Sequence, residues 1–575
     1  MLNALSVFLV GGDSDGQTRA ARSLERQRFI RATQIEWNGG SVVAWGHPEQ
    51  RRVEDCVVQS PLGAACCVGP LWFRGYFGRQ ALASLLDEVR ATGRLEEGSL
   101  RGNFALFLDT GEQTWLLNDA LGFIRIYTSA DGCFFSTSWL AVCAYGQRVE
   151  PDAASAIEYV LLGAAHSCQS VARGVDLLPL GRVQDFRRRS TWQRFPRGFE
   201  VQAPEFHSLD EAVEAITGHL RTTSSEVASA FPGRVNAALS GGFDSRLIVA
   251  GLLDAGVRPR LFVYGDADSA DVAAARTVAA AADLALEAID KRAMNRGFPM
   301  PDIEALEQSA LFFDGLPSDG IDDPGADRHT RLQQTADGRI ALNGGGGEIF
   351  RNFFHLPNRA FAARDIVRTF YRGFSRSVFR DPDGLASYEA RLAASMRNIV
   401  GMSEVGSERL SREQVELLYP LFRCHYWMGL NNSVAVRHGN YATPLVDLES
   451  VRLALRVPLR WKNAGALESR LVAALHLAVA AQPSTYGFRF DAGPGWKARL
   501  AEWTTCARPA RLRPLINATR RSLQNMRIAP AVWQRYRALL PGEWRMDSLL
   551  DLIQLTDERA LGRALAVEVV WRRLL

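Results

Sequence analysis

The run Val235-Asn236-Ala237-Ala238-Leu239-Ser240-Gly241-Gly242-Phe243-Asp244-Ser245-Arg246-Leu247 decides how the chain is read. A short apolar segment, Val235 to Leu239, feeds a Ser-Gly-Gly turn, and a helical run from Ser245 to Leu253 follows. A strand that ends in a glycine turn at a helix N-terminus presents backbone N–H groups and the positive end of the helix dipole to an anion. Two glycines let the main chain approach a phosphate closely, and Ser240 and Ser245 add hydroxyl donors. Asp244 would repel a bare phosphate, so its presence suggests a bridging Mg2+. The bland alternative is a glycine turn in an ordinary α/β unit.

Outward from this turn, the two sides differ. Before about residue 195 the chain reads as short strands with glycine turns and few long helices. Val7–Val10, Trp115–Asn118, Ile124–Thr128 and Cys133–Ser136 are strand-like, and one helix is expected over Arg79–Ala91. A polar, Arg-rich stretch near Arg187–Arg197, containing Pro196, reads as the junction. From about Leu209 helices alternate with short apolar strands: a helix over Glu211–Ser229, then strands at Val235–Leu239, Arg260–Tyr264, Leu286–Ile289 and Arg339–Leu342. That alternation predicts a parallel sheet with crossover helices. Beyond Asn352 the chain is mainly helical.

Composition narrows the class. The 575 residues allow two to four domains at roughly 150 residues each. Hydrophobic residues at 47% and charged residues at 23% are ordinary for a soluble globular chain. No apolar run reaches the roughly 18 residues that span a bilayer, so no membrane partner is expected. Met1 to Gly12 lacks a basic flank and reads as the start of a strand, not a signal peptide. Eight scattered cysteines without a CxxC pair fit a reduced, cytoplasmic chain better than a disulfide or zinc framework. A net charge of +4 gives no reason to expect nucleic acid. Lys291, Lys462 and Lys497 are the only lysines among 67 basic residues, so any role that needs a lysine has three candidates.

The turn Ser240-Gly241-Gly242-Phe243-Asp244-Ser245 resembles the SGGxDS pyrophosphate loop of ATP-pyrophosphatase enzymes that activate a substrate as an adenylate; no GxxxxGK[ST] loop occurs. The order of motifs resembles the asparagine synthetase family over nearly the whole chain. Gly102-Asn103-Phe104-Ala105-Leu106-Phe107-Leu108-Asp109 is similar to that family's GxFAxxxxD strand, and Asn118 to Tyr127 to its RDxxGxxPLYY turn. Phe135-Ser136-Thr137-Ser138 is similar to F(A/S)SE, and Leu178-Pro179-Leu180-Gly181 to the LpPG linker. The resemblance implies a fold of two parts, α+β then α/β. Residues 1–195 would form an Ntn-hydrolase-like αββα glutaminase domain. Residues 205–575 would form an ATP-pyrophosphatase (adenine nucleotide α-hydrolase-like) parallel-sheet domain with a helical C-terminal part. The family's glutaminase uses a cysteine exposed at its N-terminus. Position 2 is Leu2, no cysteine precedes Cys56, and Arg74-Gly75 stands where the family has an Asn-Gly oxyanion pair. No glutamine hydrolysis is expected, and the first domain reads as a scaffold.

In the second half the resemblance implies ATP and Mg2+ as cofactors. Leu239, Ser240, Gly241, Gly242, Asp244 and Ser245 would hold ATP phosphates, and Val263 and Tyr264 adenine. Asp266, Asp268 and Asp271 just beyond read as helix caps. Asn343-Gly344-Gly345-Gly346-Gly347-Glu348-Ile349-Phe350 is similar to SGEGxDE followed by LF, but is one residue shorter and lacks the family's metal-binding Asp. Asn343 and Gly344 would join the nucleotide site. Glu348 either takes over as metal ligand beside Asp244 or starts the next helix. Arg437, Pro444 and Asp447 match the ExRxPxLD segment that frames the acceptor pocket, with Ala435 in place of Glu, and His438 reads as a packing residue. Ser484-Thr485-Tyr486-Gly487-Phe488 stands where the family has KxGF, so Thr485 replaces a lysine; Lys497 is the expected substitute, with Arg489 next. Asp244, Glu348 and Lys497 are thus the expected catalytic residues.

The implied activity is an ATP-dependent carbon–nitrogen ligase that adenylates a carboxylate and passes it to ammonia or an amine. The identity of both stays open, and a homodimer is compatible with it. Family relatives without the glutaminase nucleophile include β-lactam synthetases and lasso-peptide cyclases, so a macrolactam-forming cyclase is an alternative. A non-catalytic nucleotide-binding descendant is another, favoured by the altered metal motif and the missing lysine. Nucleic-acid thiolation or amidation uses the same loop type, but the near-neutral charge counts against it.

Overall fold

The computed structural model describes residues 5–48, 56–146, 149–194, 205–402, 409–509, 513 and 528–575. Two six-stranded antiparallel sheets come first. One runs in the order Val175–Leu177, Tyr127–Ser129, Phe134–Ser136, Val7–Gly11, Gly40–Gly46, Ile30–Trp37. The other runs Ser190–Gln193, Arg182–Asp185, Thr114–Asn118, Ala105–Asp109, Gly63–Val68, Val57–Ser60. Side chains alternate across each strand. Phe8 and Val10 join the core shared with Ala65, Leu106 and Leu108 of the second sheet. Val7 and Leu9 face the other way, with Leu24 of helix Ser14–Arg26 and Trp139 of helix Trp139–Tyr145. Helix Gly78–Thr92 packs Leu82, Leu85 and Leu86 into the shared core and ends at Gly93, whose φ of 67° requires a left-handed residue.

Three details depart from the sequence reading. Helices Ser14–Arg26 and Ala153–Leu162 lie in the region read as short strands. The first buries only Gly16, Ala20 and Leu24, too thin an apolar stripe to be seen, and starts on the Asp13 cap. The expected strand over Ile124–Thr128 forms only at Tyr127–Ser129. The chain ahead of it instead folds around the Asp119 carboxylate, which accepts N–H groups of Leu121, Phe123 and Ile124 at 3.1–3.2 Å. The first part of the expected junction is an edge strand, Ser190–Gln193, with Trp192 against Trp115; Pro196 lies outside the described residues.

The rest of the chain is organised by a five-stranded parallel sheet: β1 (Val235–Ala238), β2 (Arg260–Tyr264), β3 (Leu286–Ile289), β4 (Ile340–Leu342) and β5 (Asn440–Ala442). Their order is β3-β2-β1-β4-β5. β5 was not foreseen: it is three residues long and emerges directly from helix Gly429–Val436. Helices α1 (Leu209–Ala230), α2 (Phe243–Asp254) and α3 (Ala466–Leu475) pack against one another beside β1. α2 buries Leu247, Ile248, Val249 and Leu252, each burial contributing about 1.5–3 kcal/mol. No described helix is long and apolar enough to cross a membrane.

A polar seam joins the two parts. Arg125 N donates to Ser433 Oγ at 2.9 Å, Thr443 N to Asn103 Oδ1 at 2.7 Å, and Arg101 pairs with Glu226 at 3.0 Å. The π-helix Tyr419–Met428 lies along this seam, with His425 Nδ1 3.0 Å from Leu121 O and the Tyr426 carbonyl accepting from Arg125.

Candidate functional site

The strand order reverses direction between β1 and β4. At such a switch point the connections leave to opposite sides and open a crevice outside the carboxyl ends of the strands. The two segments singled out in the sequence, Ser240–Ser245 and Asn343–Glu348, leave β1 and β4 at that crevice. Leu239 N still donates to Phe262 O at 2.8 Å; the chain then turns, and α2 starts at Phe243 without a side-chain cap. The glycines of the second segment rest on the first. A Cβ at Gly344 would lie 3.1 Å from the Ser245 backbone, and one at Gly347 would lie 2.2 Å from Asp244 Oδ1. Asn343 Oδ1 accepts from Gly345 N at 3.0 Å and holds the run in place.

The loop is held by its own hydroxyls. Ser245 Oγ accepts from Ser240 N at 2.9 Å and lies 2.9 Å from Ser240 Oγ, which accepts from Gly242 N at 3.2 Å. Gly241 N donates to Asp271 Oδ1 at 3.0 Å, so a carboxylate already sits where this turn offers an anion a donor. The expected capping role of the acidic cluster falls instead to Ser269, which accepts from Val272 N. The Ser484–Phe488 segment lies across the loop: Thr485 N donates to Gly241 O at 3.2 Å, and Tyr486 packs on Phe243 at 4.3 Å between ring centroids. Val263 is buried at the end of β2, and Tyr264 is exposed with Lys291 Nζ 4.2 Å above its ring.

The charge beside the loop was not foreseen. Arg351 Nη2 donates to both oxygens of Asp244, at 3.0 and 2.8 Å, while its Nε lies 2.8 Å from Glu468 Oε2. Its Nη1 donates to Tyr486 Oη at 3.1 Å, and Glu348 Oε1 lies 3.8 Å from Nη2. Glu468 is fully buried on the first turn of α3, and neither of its oxygens accepts a well-aligned hydrogen bond. Burial pushes the Asp244 carboxyl up to about 6 despite Arg351, and pushes Glu468 well above the usual carboxylate range. Burial works against the Arg351 charge, but Glu468, Asp244 and Glu348 outweigh it and hold the guanidinium charged. The sequence carried one weak signal for this residue: Arg351 follows Glu348 by three positions across the 3-10 turn Gly347–Phe350.

Other expected residues stand apart. Lys497 is exposed on the first turn of helix Trp496–Ala507, its ammonium 5.7 Å from the Trp496 ring centroid. Lys462 is buried against Glu416 and Arg489 pairs with Asp491 on the surface. Arg437 is buried in an ion pair with Asp314 at 3.2 Å, and Asp447 pairs with His219 at 3.1 Å and caps the next helix. His438 stacks on Phe312 at 3.9 Å, kept neutral by burial, as a packing residue would be.

Asp244 and Glu348 are the only pair expected to hold Mg2+, and as they stand they do not fit it. Both oxygens of Asp244 face Arg351, and Glu348 Oε2 accepts from Gly346 N at 3.1 Å and from Tyr419 Oη. Glu348 is the second residue of the short 3-10 turn Gly347–Phe350. Among the described residues no three His, Cys, Asp or Glu side chains converge to hold an ion by themselves.

No family model matches the chain, and no curated protein matches it. Solved structures that do match include the allosteric regulatory enzyme of purine biosynthesis, at 12% identity over 44% of this chain and 64% of that one, with a TM-score of 0.23. Another is glutamine phosphoribosylpyrophosphate amidotransferase from B. subtilis complexed with ADP and GMP, at 10% identity over 51% of this chain and 92% of that one, also with a TM-score of 0.23. This chain thus spans less than two thirds of the first of these enzymes. Likeness at this level assigns no activity to it.

Proposed function

We propose that the protein is an asparagine synthetase-like, ATP-dependent amide-forming ligase whose first part is an Ntn-type domain without glutaminase chemistry. The supporting observation is that the Ser240–Ser245 loop and the Asn343–Gly347 run leave adjacent strands at the reversal point of the parallel sheet. In this reading the turn and the Ser240 and Ser245 hydroxyls receive the ATP phosphates, and the ends of β2 and β4 border the base. A carboxylate oxygen attacks the α-phosphorus and pyrophosphate leaves; an amine or ammonia then attacks the acyl carbon and AMP leaves. Binding both reactants in one crevice supplies proximity to each step. A nitrogen source other than glutamine is supported by Arg74, which stands at the expected oxyanion position, exposed and paired with Glu88 and Glu96.

The test is ATP–pyrophosphate exchange by the purified protein with a panel of carboxylic acids that includes aspartate and peptide acids. Exchange that depends on one acid establishes adenylation and names the substrate class. ATP binding without exchange for any acid favours a second reading, a nucleotide-binding protein without turnover. The observation that favours this second reading is the Asp271 carboxylate on Gly241 N.

A further inference from the structure

The residues around Asp244 already contain a cation. Arg351 is anchored on two sides by acids, through the contacts to Asp244 and to Glu468. The Phe243 ring lies 5.5 Å from its guanidinium carbon and adds a cation–π contact. The Arg351 and Asp244 side chains are 18% and 21% exposed, so the pair is at the edge of the crevice, with Glu468 completely buried behind it. On the open side Nη1 touches only Tyr486, which is 46% exposed and therefore the displaceable member of the group.

We propose that Arg351 is the resident cation of this site and meets nucleotide phosphate charge in place of a divalent ion at Asp244. The proposal rests on reading the Ser240–Ser245 loop as the polyphosphate site. A guanidinium suits this role because it is always charged, is weakly hydrated, and presents a planar fork of N–H donors that matches phosphate oxygens. Asp244 then becomes the residue that aims Arg351, which explains why an acid is kept beside a loop built for anions. Glu468 has the same aiming role from behind, and Gly347 is required because a side chain there would collide with Asp244. A phosphate oxygen would take Nη1 as Tyr486 swings aside.

The test is calorimetric titration of the full-length protein with ATP, once in EDTA and once in saturating Mg2+. The expected result is binding in EDTA, tightened less than about threefold by Mg2+. In Arg351→Met the affinity in EDTA is expected to fall about tenfold or more, a loss of about 1.4 kcal/mol, and Mg2+ is expected to recover part of it. Arg351→Lys is expected to lose less than Arg351→Met. Removing Arg351 strands Glu468, the fully buried acid of the group, so Arg351→Met is also made with Glu468→Gln; the acids that remain, Asp244 and Glu348, are 21% and 24% exposed. Electron paramagnetic resonance of Mn2+ without nucleotide gives a second readout: no binding by the natural protein and binding by the double variant support the proposal. Binding of ATP only with Mg2+, or unchanged EDTA affinity in the double variant, overturns the proposal and leaves the loop reading standing. No ATP binding under either condition overturns both.

Discussion

Two arginine–carboxylate pairs differ in their surroundings: Arg437 is buried at the seam, and Arg351 is partly buried beside the loop. At the seam Arg437 meets one acid, Asp314, and that acid's remaining lone pairs are met by Ser138 Oγ at 2.6 Å, Trp139 N at 2.7 Å and Leu140 N at 3.3 Å. Beside the loop Arg351 meets three acids, and Glu468 has no aligned donor at all. The first arrangement is balanced around its acid, which is what a fastening needs. The second carries more acid than base in a buried place, and groups so crowded change protonation or partners when a ligand arrives. A buried ion pair is therefore no sign of function by itself; the imbalance is the sign.

Breaking the balanced pair is expected to have the largest effect. Asp314→Ala leaves Arg437 charged and unpaired in the seam, and should lower stability by about 3–5 kcal/mol, read as the urea midpoint. The contrast is Glu468→Gln, which removes a carboxyl whose charge burial already opposes; its midpoint should move by less than about 1 kcal/mol. Equal losses in the two variants would erase the distinction between the two pairs.

The seam also predicts a pH dependence. Burial pulls His425 down to about 4, aided by the nearby Arg125 charge. An unfolded histidine titrates near 6.5, so as the pH falls from about 6.5 to 4 the unfolded chain takes up a proton that the folded chain refuses. Stability contributed by this residue is full above about 6.5, declines through that window, and levels off below about 4. The total is about 3 kcal/mol at 1.4 kcal/mol per pH unit. His425→Asn should flatten the slope of stability against pH by this amount; an unchanged slope would assign the acid sensitivity elsewhere.

The loop cluster is probed next by Gly347→Ala. The added methyl would meet Asp244 Oδ1 at 2.2 Å and push it off Arg351, so ATP affinity should fall by about tenfold with little change in thermal midpoint. The smallest effect is expected at Asp271. Asp271→Ala frees Gly241 N for a phosphate oxygen and should tighten ATP binding by about twofold to threefold. Weaker binding would mean that the carboxylate shapes the loop instead of competing for its donor.

How far these features could be read in the sequence depended on how local their cause is. β1, the glycine turn and α2 were legible because an apolar run, two glycines and a helix start lie within a dozen residues. β5 was not, since a three-residue strand is fixed only by its pairing with β4. The Ser484–Phe488 segment stands out by motif order, but its missing lysine pointed to Lys497 and past Arg351. An arginine that answers Asp244 from 107 positions away and Glu468 from 117 has no pattern along the chain; only folding brings the three together. Helix Ser14–Arg26 was hidden for the opposite reason, having a cap but almost no apolar stripe.

The π-helix Tyr419–Met428 makes the two parts of the molecule depend on one another. Its first residue holds Glu348 at the crevice, and its seventh and eighth are gripped by the main chain around Leu121 and by Arg125. The first part cannot be removed without consequence for the crevice, because the same ten residues serve as wall for one half and footing for the other. A deletion that removes the footing would shift the wall.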